Sequence, residues 1–351
     1  MSTAAPPAAA PSRPAAPGVR GRRLALGLAA LAGVLLVVCF FSITMGSRSI
    51  TLPVIWQALT DFDPASASET VVRQMRVPRT ILGVAVGVAL GLAGTILQGV
   101  TRNPLADPGI MGINQGAACA MVLAIMVAGV QSLSAYIWIA FVGAGVAIVI
   151  VYGVASFGRE GATPVKLALA GAAVTAGLTS ITTAVVMTNL DALNELRFWQ
   201  VGTLAGRYAD VAWQTVPFIA AGAVVALCLG RPLNGLALGD DMAHALGQPV
   251  RRTRTIMFVT VAVLCGAATA ACGPIVFLGL VMPHVARMIT GPDYRWILPY
   301  AAVLTPIVLL LADILARVVT SPGELQVGVV LGVLGAPFFI FLVRYRSVTE
   351  L

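Results

Sequence analysis

Charged residues are scarce in this 351-residue chain. They make up 10% of it, whereas about 25% is usual for a soluble domain. Hydrophobic residues make up 58%, and the mean hydropathy is +0.93. The apolar residues fall in windows of about 20, long enough for a helix to cross a hydrocarbon core of about 30 Å, and about ten such windows fit. The short alternating segments typical of a membrane β-barrel are missing. The sequence therefore predicts an all-α polytopic membrane protein with about ten transmembrane helices.

Signatures of catalysis are also missing. A nucleotide-binding P-loop needs a lysine in the pattern G-x-x-x-x-G-K-[ST], and the only lysine, Lys166, lies between Val165 and Leu167. His244 and His284 form no HExxH pattern, and there is no GxSxG elbow. The five cysteines lie inside apolar runs without CxxC spacing. We therefore expect no enzymatic activity, no cofactor and no metal site in this chain.

The predicted spans have edges that are good to a few residues. They are 24–45, 80–99, 110–130, 135–157, 166–188, 213–230, 255–271, 274–290, 297–318 and 326–343.

The segment before the first span, residues 1–23, is rich in proline and alanine and predicts a disordered tail, which leaves residues 24–351 as the transmembrane domain. A cleaved signal peptide is the alternative for the first apolar run. That run extends from Leu24 to Met45, longer than the 7–15 residues of a signal-peptide apolar region, so we favour a transmembrane helix.

The distribution of positive charge predicts the topology. Most of the 22 basic residues fall in segments on the side of both termini, which places the termini in the cytoplasm and requires an even number of spans. The net charge of +8 then indicates loops that meet anionic lipid headgroups. It gives no reason to expect a nucleic-acid partner.

Small residues recur at intervals of four in two predicted helices, which places them on one helix face and predicts close helix packing. They are Gly83, Gly87 and Gly91 in the second span and Gly328, Gly332 and Ala336 in the tenth.

Asp313 is the only acidic residue well inside an apolar run. Arg317 follows at i+4, so the two side chains are predicted to form an ion pair within one helix. An ion-coupled secondary transporter, our alternative function, would be expected to show ionisable residues suited to a relay. A single neutralised pair does not favour that alternative, and a membrane receptor or scaffold is the remaining non-transport possibility.

Several motifs occur in a fixed order. They are RNPLADPG at 102–109, GPIVFLGLVMPHVAR at 273–287, Ala312-Asp313-x3-Arg317, and Glu324-Leu325-x2-Gly328. From about Arg73 to Arg344 the chain resembles the FecCD-type permeases of ABC importers, which carry iron-siderophores, heme and cobalamin.

This resemblance implies a bundle like that of the cobalamin-importer permease, in the cell membrane. It implies a second permease copy or a paralogue, two ATP-binding cassette subunits that hydrolyse ATP, and an extracytoplasmic substrate-binding protein. The expected function is uptake of a ferric siderophore, or of a related chelate such as heme or cobalamin. Whether the permease pairs as a homodimer or a heterodimer stays open.

The resemblance also gives roles to two groups of residues. The segment from Gly239 to Gly247 predicts a short helix with acids in its first turn and a glycine stop, and it is similar to the helix that contacts the ATPase subunits. Its members are Gly239, Asp240, Asp241, Met242, Ala243, His244, Ala245, Leu246 and Gly247.

The second group is Arg76, Arg79 and Arg317, three arginines on the translocated side. They match family positions that receive carboxylates of the binding protein, although helix-end snorkelling is the alternative.

A possible lining of the translocation path lies on the fifth predicted helix. Gly171, Thr175, Thr179 and Thr182 share one face of that helix. The same pattern fits a lipid-sheltered packing seam equally well, and both interpretations stay open.

Overall fold

The computed structural model describes residues 17–46, 50–130, 132–157, 163–320 and 323–345. Throughout these ranges the regular structure is helical and contains no strand. The α-helices are α1 Pro17–Thr44, α2 Leu52–Thr60, α3 Ala67–Thr70, α4 Val77–Thr101, α5 Ile113–Ala128, α6 Leu133–Ala155, α7 Pro164–Thr188, α8 Leu190–Trp199, α9 Ala209–Cys228, α10 Gly230–Ala237, α11 Asp240–Ala245, α12 Val250–Cys272, α13 Leu278–Thr290, α14 Tyr294–Val319 and α15 Val327–Tyr345. A π-helical turn, Val71–Arg76, joins α3 to α4, and a 3-10 turn, Pro108–Met111, precedes α5.

Seven helical segments in the described part are long and apolar enough to cross a membrane: Arg20–Thr44, Ala67–Thr101, Leu133–Ala155, Val165–Thr188, Ala209–Cys228, Val250–Cys272 and Tyr294–Val319. Three shorter apolar helices, at Ile113–Ala128, Leu278–Thr290 and Val327–Ile340, coincide with the remaining predicted windows. The predicted all-α fold with about ten spans is thus confirmed.

The first helix begins earlier than hydropathy indicates. Residues 17–23 of the predicted tail are helical and continue into the first span as α1, while residues 1–16 lie outside the described residues. Arginine is a good helix former, so Arg20, Arg22 and Arg23 can extend the helix beyond its apolar part.

The eighth window is shorter than predicted. Residues 274–277 are not helical, and α13 begins only at Leu278. Gly273 and Phe277 have φ values of +73° and +70°, in the left-handed region that a helix cannot use. At Gly273 the left-handed backbone also lies against the carbonyl of Trp199, where a side chain would not fit.

Helix α4 lies at the centre of the bundle and packs against α9, α12, α13 and α14. The predicted glycine face of α4 receives α14. Gly87 lies against the backbone of Pro306, and Gly91 lies against Thr305, so neither glycine has room for a Cβ. The other predicted face is used only in part: Gly328 contacts the Val201 carbonyl, but nothing lies within 4 Å of a Cβ built at Gly332.

Replacing Gly87 by Leu is expected to lower both the folded yield and the Tm, because the side chain would push the Pro306 backbone away from α4. Overpacking a close-packed interior costs about 1–3 kcal/mol, occasionally more. The measurement is the monodisperse fraction and the Tm in detergent. Gly332→Leu is the matched control, since its position is open. Equal losses in the two variants would contradict the packing role of the α4 face.

Candidate functional site

Three arginines meet at one end of the bundle, where α4 begins and α14 ends. We call it the arginine end and define it by Arg76, Arg79 and Arg317. Arg79 forms the central contacts: its Nη2 lies 2.8 Å from Asp313 Oδ1, and its Nε lies 3.1 Å from Asp313 Oδ2. Its Nη1 donates to Glu324 Oε2 at 2.8 Å. Arg79 thus joins α4 to α14 and to the segment before α15.

Arg317 and Arg76 hold the C-terminal turn of α1. Arg317 Nη1 donates to the carbonyl oxygens of Ser42 and Met45 at 3.0 and 2.9 Å. Arg76 Nη1 donates to the carbonyl oxygens of Ile43 and Thr44 at 2.9 and 2.7 Å. The last carbonyl groups of a helix have no partner within the helix and carry partial negative charge, so cations stabilise them.

The predicted ion pair within α14 is present, with Arg317 Nη2 lying 3.2 Å from Asp313 Oδ2. The three arginines that the resemblance assigns to docking are all buried. Arg76, Arg79 and Arg317 are 5%, 8% and 2% exposed, because Asp313 and the α1 carbonyl groups satisfy their donors inside the protein. The three arginines thus belong to a buried network. The docking role itself stays a prediction.

The network borders a cavity of about 210 Å³. The cavity is lined by Gly46, Val71, Met75, Arg76, Arg79, Arg317 and Glu324. The Glu324 side chain is 35% exposed, whereas that of Asp313 is 1% exposed. Glu324 is therefore the carboxylate of the network that solvent reaches.

The opposite end of the bundle, which we call the α11 end, carries the predicted short helix. The helix α11 begins after Gly239, with φ +110°, and is followed by Gly247, with φ +76°. Ala243 is buried, while Met242 and Leu246 are exposed. Leu238, which precedes the helix, is exposed too, so three apolar side chains in and next to α11 are exposed: Leu238, Met242 and Leu246.

Asp240 ties α11 to two transmembrane helices. Its Oδ1 accepts from Arg254 Nη2 at 3.0 Å, in the first turns of α12, and also forms an ion pair with Arg102 at the end of α4. Arg102 has a left-handed backbone, with φ +48°, and its Nε donates to the Leu236 carbonyl at 2.9 Å. The short helix is thus attached to both α4 and α12.

Helix α10 is fixed to the start of α14. Asn234 Nδ2 donates to Asp293 Oδ1 at 2.7 Å, and Asn234 Oδ1 accepts from the Tyr294 backbone N–H at 2.9 Å. Hydrogen bonds from the Arg295 guanidinium, assisted by Asn234, lower the pKa of Asp293 to about 2. The carboxylate therefore stays ionised near neutral pH, and the segment before α11 keeps its attachment to α14.

The loop at 102–109 is a tight connection, as predicted. Asn103 Oδ1 accepts from the Leu105 N–H at 2.9 Å, and Asp107 Oδ1 accepts from the Gly109 N–H at 2.7 Å. Burial raises the pKa of Asp107.

The predicted path residues do not share an open face. Gly171 and Thr182 are buried, and the Thr182 hydroxyl donates to the Leu178 carbonyl at 2.8 Å. Thr175 is half-buried, and Thr179 is exposed. The four residues do lie along one side of the helix, as their spacing predicts. That side, however, lies at the boundary between the packed and the open sides of α7. The open side, which the sequence did not reveal, carries mostly small residues, Ala172, Ala173, Ala176, Gly177, Thr179, Ser180, Thr183 and Ala184, together with exposed Leu169, Ile181 and Met187.

Comparisons with known proteins identify similar chains. A family model described as the FecCD transport family matches residues 34–345. The chain is 44% identical to the ferric enterobactin transport system permease protein FepD of Escherichia coli strain K12, covering 92% of this chain and 96% of that protein. It is 36% identical to the cobalamin import system permease protein BtuC of Halobacterium salinarum, covering 88% and 86%. A solved inward-facing structure, described as of the metal-chelate ABC transporter type, matches with a TM-score of 0.80 at 25% identity, covering 91% and 99%.

The buried network leads to a prediction about stability. Asp313→Asn should lower the free energy of unfolding by about 3–5 kcal/mol, because it leaves two buried arginines without their shared carboxylate. Glu324→Gln is the matched control and should cost about 0–1 kcal/mol, since its ion pair is partly exposed to water. The measurement is the Tm of each variant in the same detergent. Asp313→Asn with a wild-type Tm would show that the network does not hold the arginine end together.

Proposed function

Because the chain belongs to the FecCD transport family, we propose that it forms half of a membrane path through which a ferric siderophore enters the cell. In this proposal ATP is hydrolysed on two separate ATP-binding cassette subunits, and an extracytoplasmic binding protein delivers the cargo. The resemblance inferred from the motifs is confirmed, and the chain is a multi-pass membrane permease of the ABC importer type. The observation that carries the proposal is the near full-length similarity to a ferric enterobactin permease.

The choice of cargo rests on degrees of similarity. The ferric enterobactin permease is 44% identical to this chain, and a Bacillus subtilis protein named as a probable siderophore transport system permease is 39% identical. The archaeal cobalamin permease is 36% identical. A siderophore is therefore favoured over cobalamin.

The surroundings of Asp313 argue against the ion-coupled alternative. Both of its carboxylate oxygens accept hydrogen bonds from Arg79, and it forms an ion pair with Arg317. A strong structural pairing thus occupies the position where a relay group would have to exchange protons or ions. This supports a permease powered by partner subunits.

We place the ATPase contact at the α11 end, which puts that end and both termini in the cytoplasm. The exposed side chains of Leu238, Met242 and Leu246 offer an apolar surface to the ATPase, and exposed apolar surface marks sites of protein contact. Movement of α11 would reach α4 and α12 through Asp240. The acidic first turn thus serves to attach the helix as well as to start it.

We place binding-protein docking at the arginine end, in a form that the buried network modifies. Glu324 already occupies Arg79 Nη1 beside the 210 Å³ cavity. A carboxylate of the binding protein would enter this cavity and compete with Glu324. Docking would then exchange an internal partner for an external one.

The open side of α7 fits the second permease or the path between the two permeases. Between Ala172 and Ala184 its exposed residues, apart from Ile181, are small and weakly polar, which permits close approach of another helix. Of the four residues predicted to line the path, Thr179 lies on this side.

Uptake of radiolabelled cargo by a deletion strain tests the function as a whole. Complementation with this chain, together with its partner subunits, should restore uptake of a ferric siderophore but not of heme or cobalamin. Restored cobalamin uptake alone would reassign the cargo. Uptake that persists when the ATPase subunits carry inactivated P-loops would overturn the importer mechanism.

Asp240→Asn should lower uptake and cargo-stimulated ATP hydrolysis by at least about fivefold while the membrane level stays normal, because α11 would lose its attachment to α4 and α12. Asp241→Asn is the control, since Asp241 has no ion pair with any residue that the structure describes. Both variants are assayed in the assembled transporter. Equal uptake by the two variants would remove the attachment role from Asp240.

Glu324→Gln should strengthen association with the binding protein by up to about fivefold, because it removes the internal competitor for Arg79. The measurement is the Kd on nanodisc-embedded transporter at low and high salt, and association should weaken as salt rises. Asp191→Asn, an exposed carboxylate change on α8, is the control. An unchanged Kd for Glu324→Gln would place docking elsewhere.

A further inference from the structure

A second polar cavity, of about 260 Å³, lies at the α11 end between α4, α10, α13 and the start of α14. Its polar lining comes from Gln98, Arg102, Arg287 and Tyr294. None of the roles considered so far uses this cavity. Two of its four polar side chains are cations, which suggests that its occupant is an anion.

Arg287 is the unusual member of this set. It is 8% exposed, and its contacts are a 3.4 Å hydrogen bond from Nη2 to the Tyr294 hydroxyl and a cation–π approach to the Tyr294 ring, 5.9 Å from guanidinium carbon to centroid. Within the described residues no carboxylate oxygen lies within 4.0 Å of its guanidinium nitrogens. By contrast, Arg79 and Arg317, equally buried, share Asp313.

A buried guanidinium without a counter-charge is unfavourable, so an external anion at this position would stabilise the protein. Arg102 adds a second guanidinium to the cavity wall. Gln98 adds an acceptor. Its Nε2 donates to the Leu280 carbonyl at 3.0 Å, while its buried Oε1 accepts no hydrogen bond from the part of the chain that the structure describes. The occupant that satisfies this lining combines negative charge with a hydroxyl donor.

We propose that this cavity binds a phosphate group, supplied by the headgroup of an anionic membrane lipid. The planar guanidinium matches two phosphate oxygens at once, and the glycerol hydroxyls of a phosphatidylglycerol headgroup supply the donor that Gln98 Oε1 requires. The cavity is smaller than the roughly 300–1,000 Å³ of sites for drug-sized ligands, so a single headgroup fits better than a whole nucleotide. Basic pockets between transmembrane helices are a known means of holding anionic headgroups.

The position of the site gives the bound lipid a consequence. Arg102, which lines the cavity, also forms the ion pair with Asp240 and donates to the Leu236 carbonyl. A phosphate beside Arg102 would therefore contact the residue that attaches α11 to α4. The site deepens the proposed coupling at this end, but the binding of phosphate does not depend on the ATPase or on the cargo.

The test uses the full-length chain, delipidated in a neutral detergent. The Tm is measured with added phosphatidylglycerol, with added phosphatidylcholine, and with inorganic phosphate. Native mass spectrometry counts the lipids that stay bound. The key variant is Arg287→Gln, and the matched control is Arg231→Gln, which removes an exposed arginine of α10 at the same end.

Phosphatidylglycerol should raise the Tm of the wild type and of Arg231→Gln, and phosphatidylcholine should not. Arg287→Gln should bind phosphatidylglycerol at least about tenfold more weakly, as expected when a charge-assisted hydrogen bond is lost. Stabilisation by inorganic phosphate alone would support the phosphate site and identify a soluble anion as its source. Equal responses to the two lipids, or an Arg287→Gln response equal to that of Arg231→Gln, would overturn the proposal.

Two further variants keep the test decisive if Arg287→Gln does not fold. Arg287→Lys retains the charge but not the planar fork, and Tyr294→Phe removes the hydroxyl while retaining the ring. Weaker phosphatidylglycerol binding by both variants supports the site. Wild-type binding by both overturns it.

Discussion

The carboxylate of Asp313 is the interaction on which the arginine end depends. It accepts hydrogen bonds from Arg79 of α4 and forms an ion pair with Arg317 of its own helix. Arg317 in turn donates to the carbonyl groups of Ser42 and Met45 at the end of α1. Three helices far apart in the chain thus meet at one buried anion. A charge pair of this kind is a poor source of net stability, because desolvation offsets its attraction, but losing one partner is costly. The pairing therefore specifies how α1, α4 and α14 meet.

The two ends of α4 carry the same arrangement of charged side chains, but these side chains differ in their exposure to solvent. At each end an arginine of α4 shares an aspartate with a second arginine: Arg79 and Arg317 share Asp313, and Arg102 and Arg254 share Asp240. The Asp313 side chain is 1% exposed and that of Asp240 is 39% exposed. Ion pairs open to water contribute little and can be exchanged readily. Helix α4 is thus held by a buried ion pair at one end and joined to α11 by a solvent-exposed ion pair at the other.

Hydropathy and local spacing predicted the features that depend on nearby residues: the ten apolar windows, the short helix at 240–245 and the ion pair of Asp313 with Arg317. These two signals did not predict contacts between residues that are far apart in the sequence. Arg79 and Asp313 are 234 positions apart, and a topology rule that counts charges says nothing about what surrounds them. On α7 the helical period was predicted correctly, but Gly171 and Thr182 are buried. The sequence could not show this, because small residues suit a packed seam and an open face equally well.

The exposed surfaces of α1 and α7 differ in a way that separates lipid from protein contact. α1 exposes large apolar side chains such as Leu26, Leu36 and Phe40, which suit acyl chains. α7 exposes mostly alanine, glycine, serine and threonine, which gain little from lipid but let another backbone approach closely. A second permease copy meeting this face would place hydroxyl groups such as that of Thr179 along the axis between the two copies. In the proposed assembly the dimer contact and the path for cargo would then be two parts of one surface, because helices that pair two subunits also border the space between them.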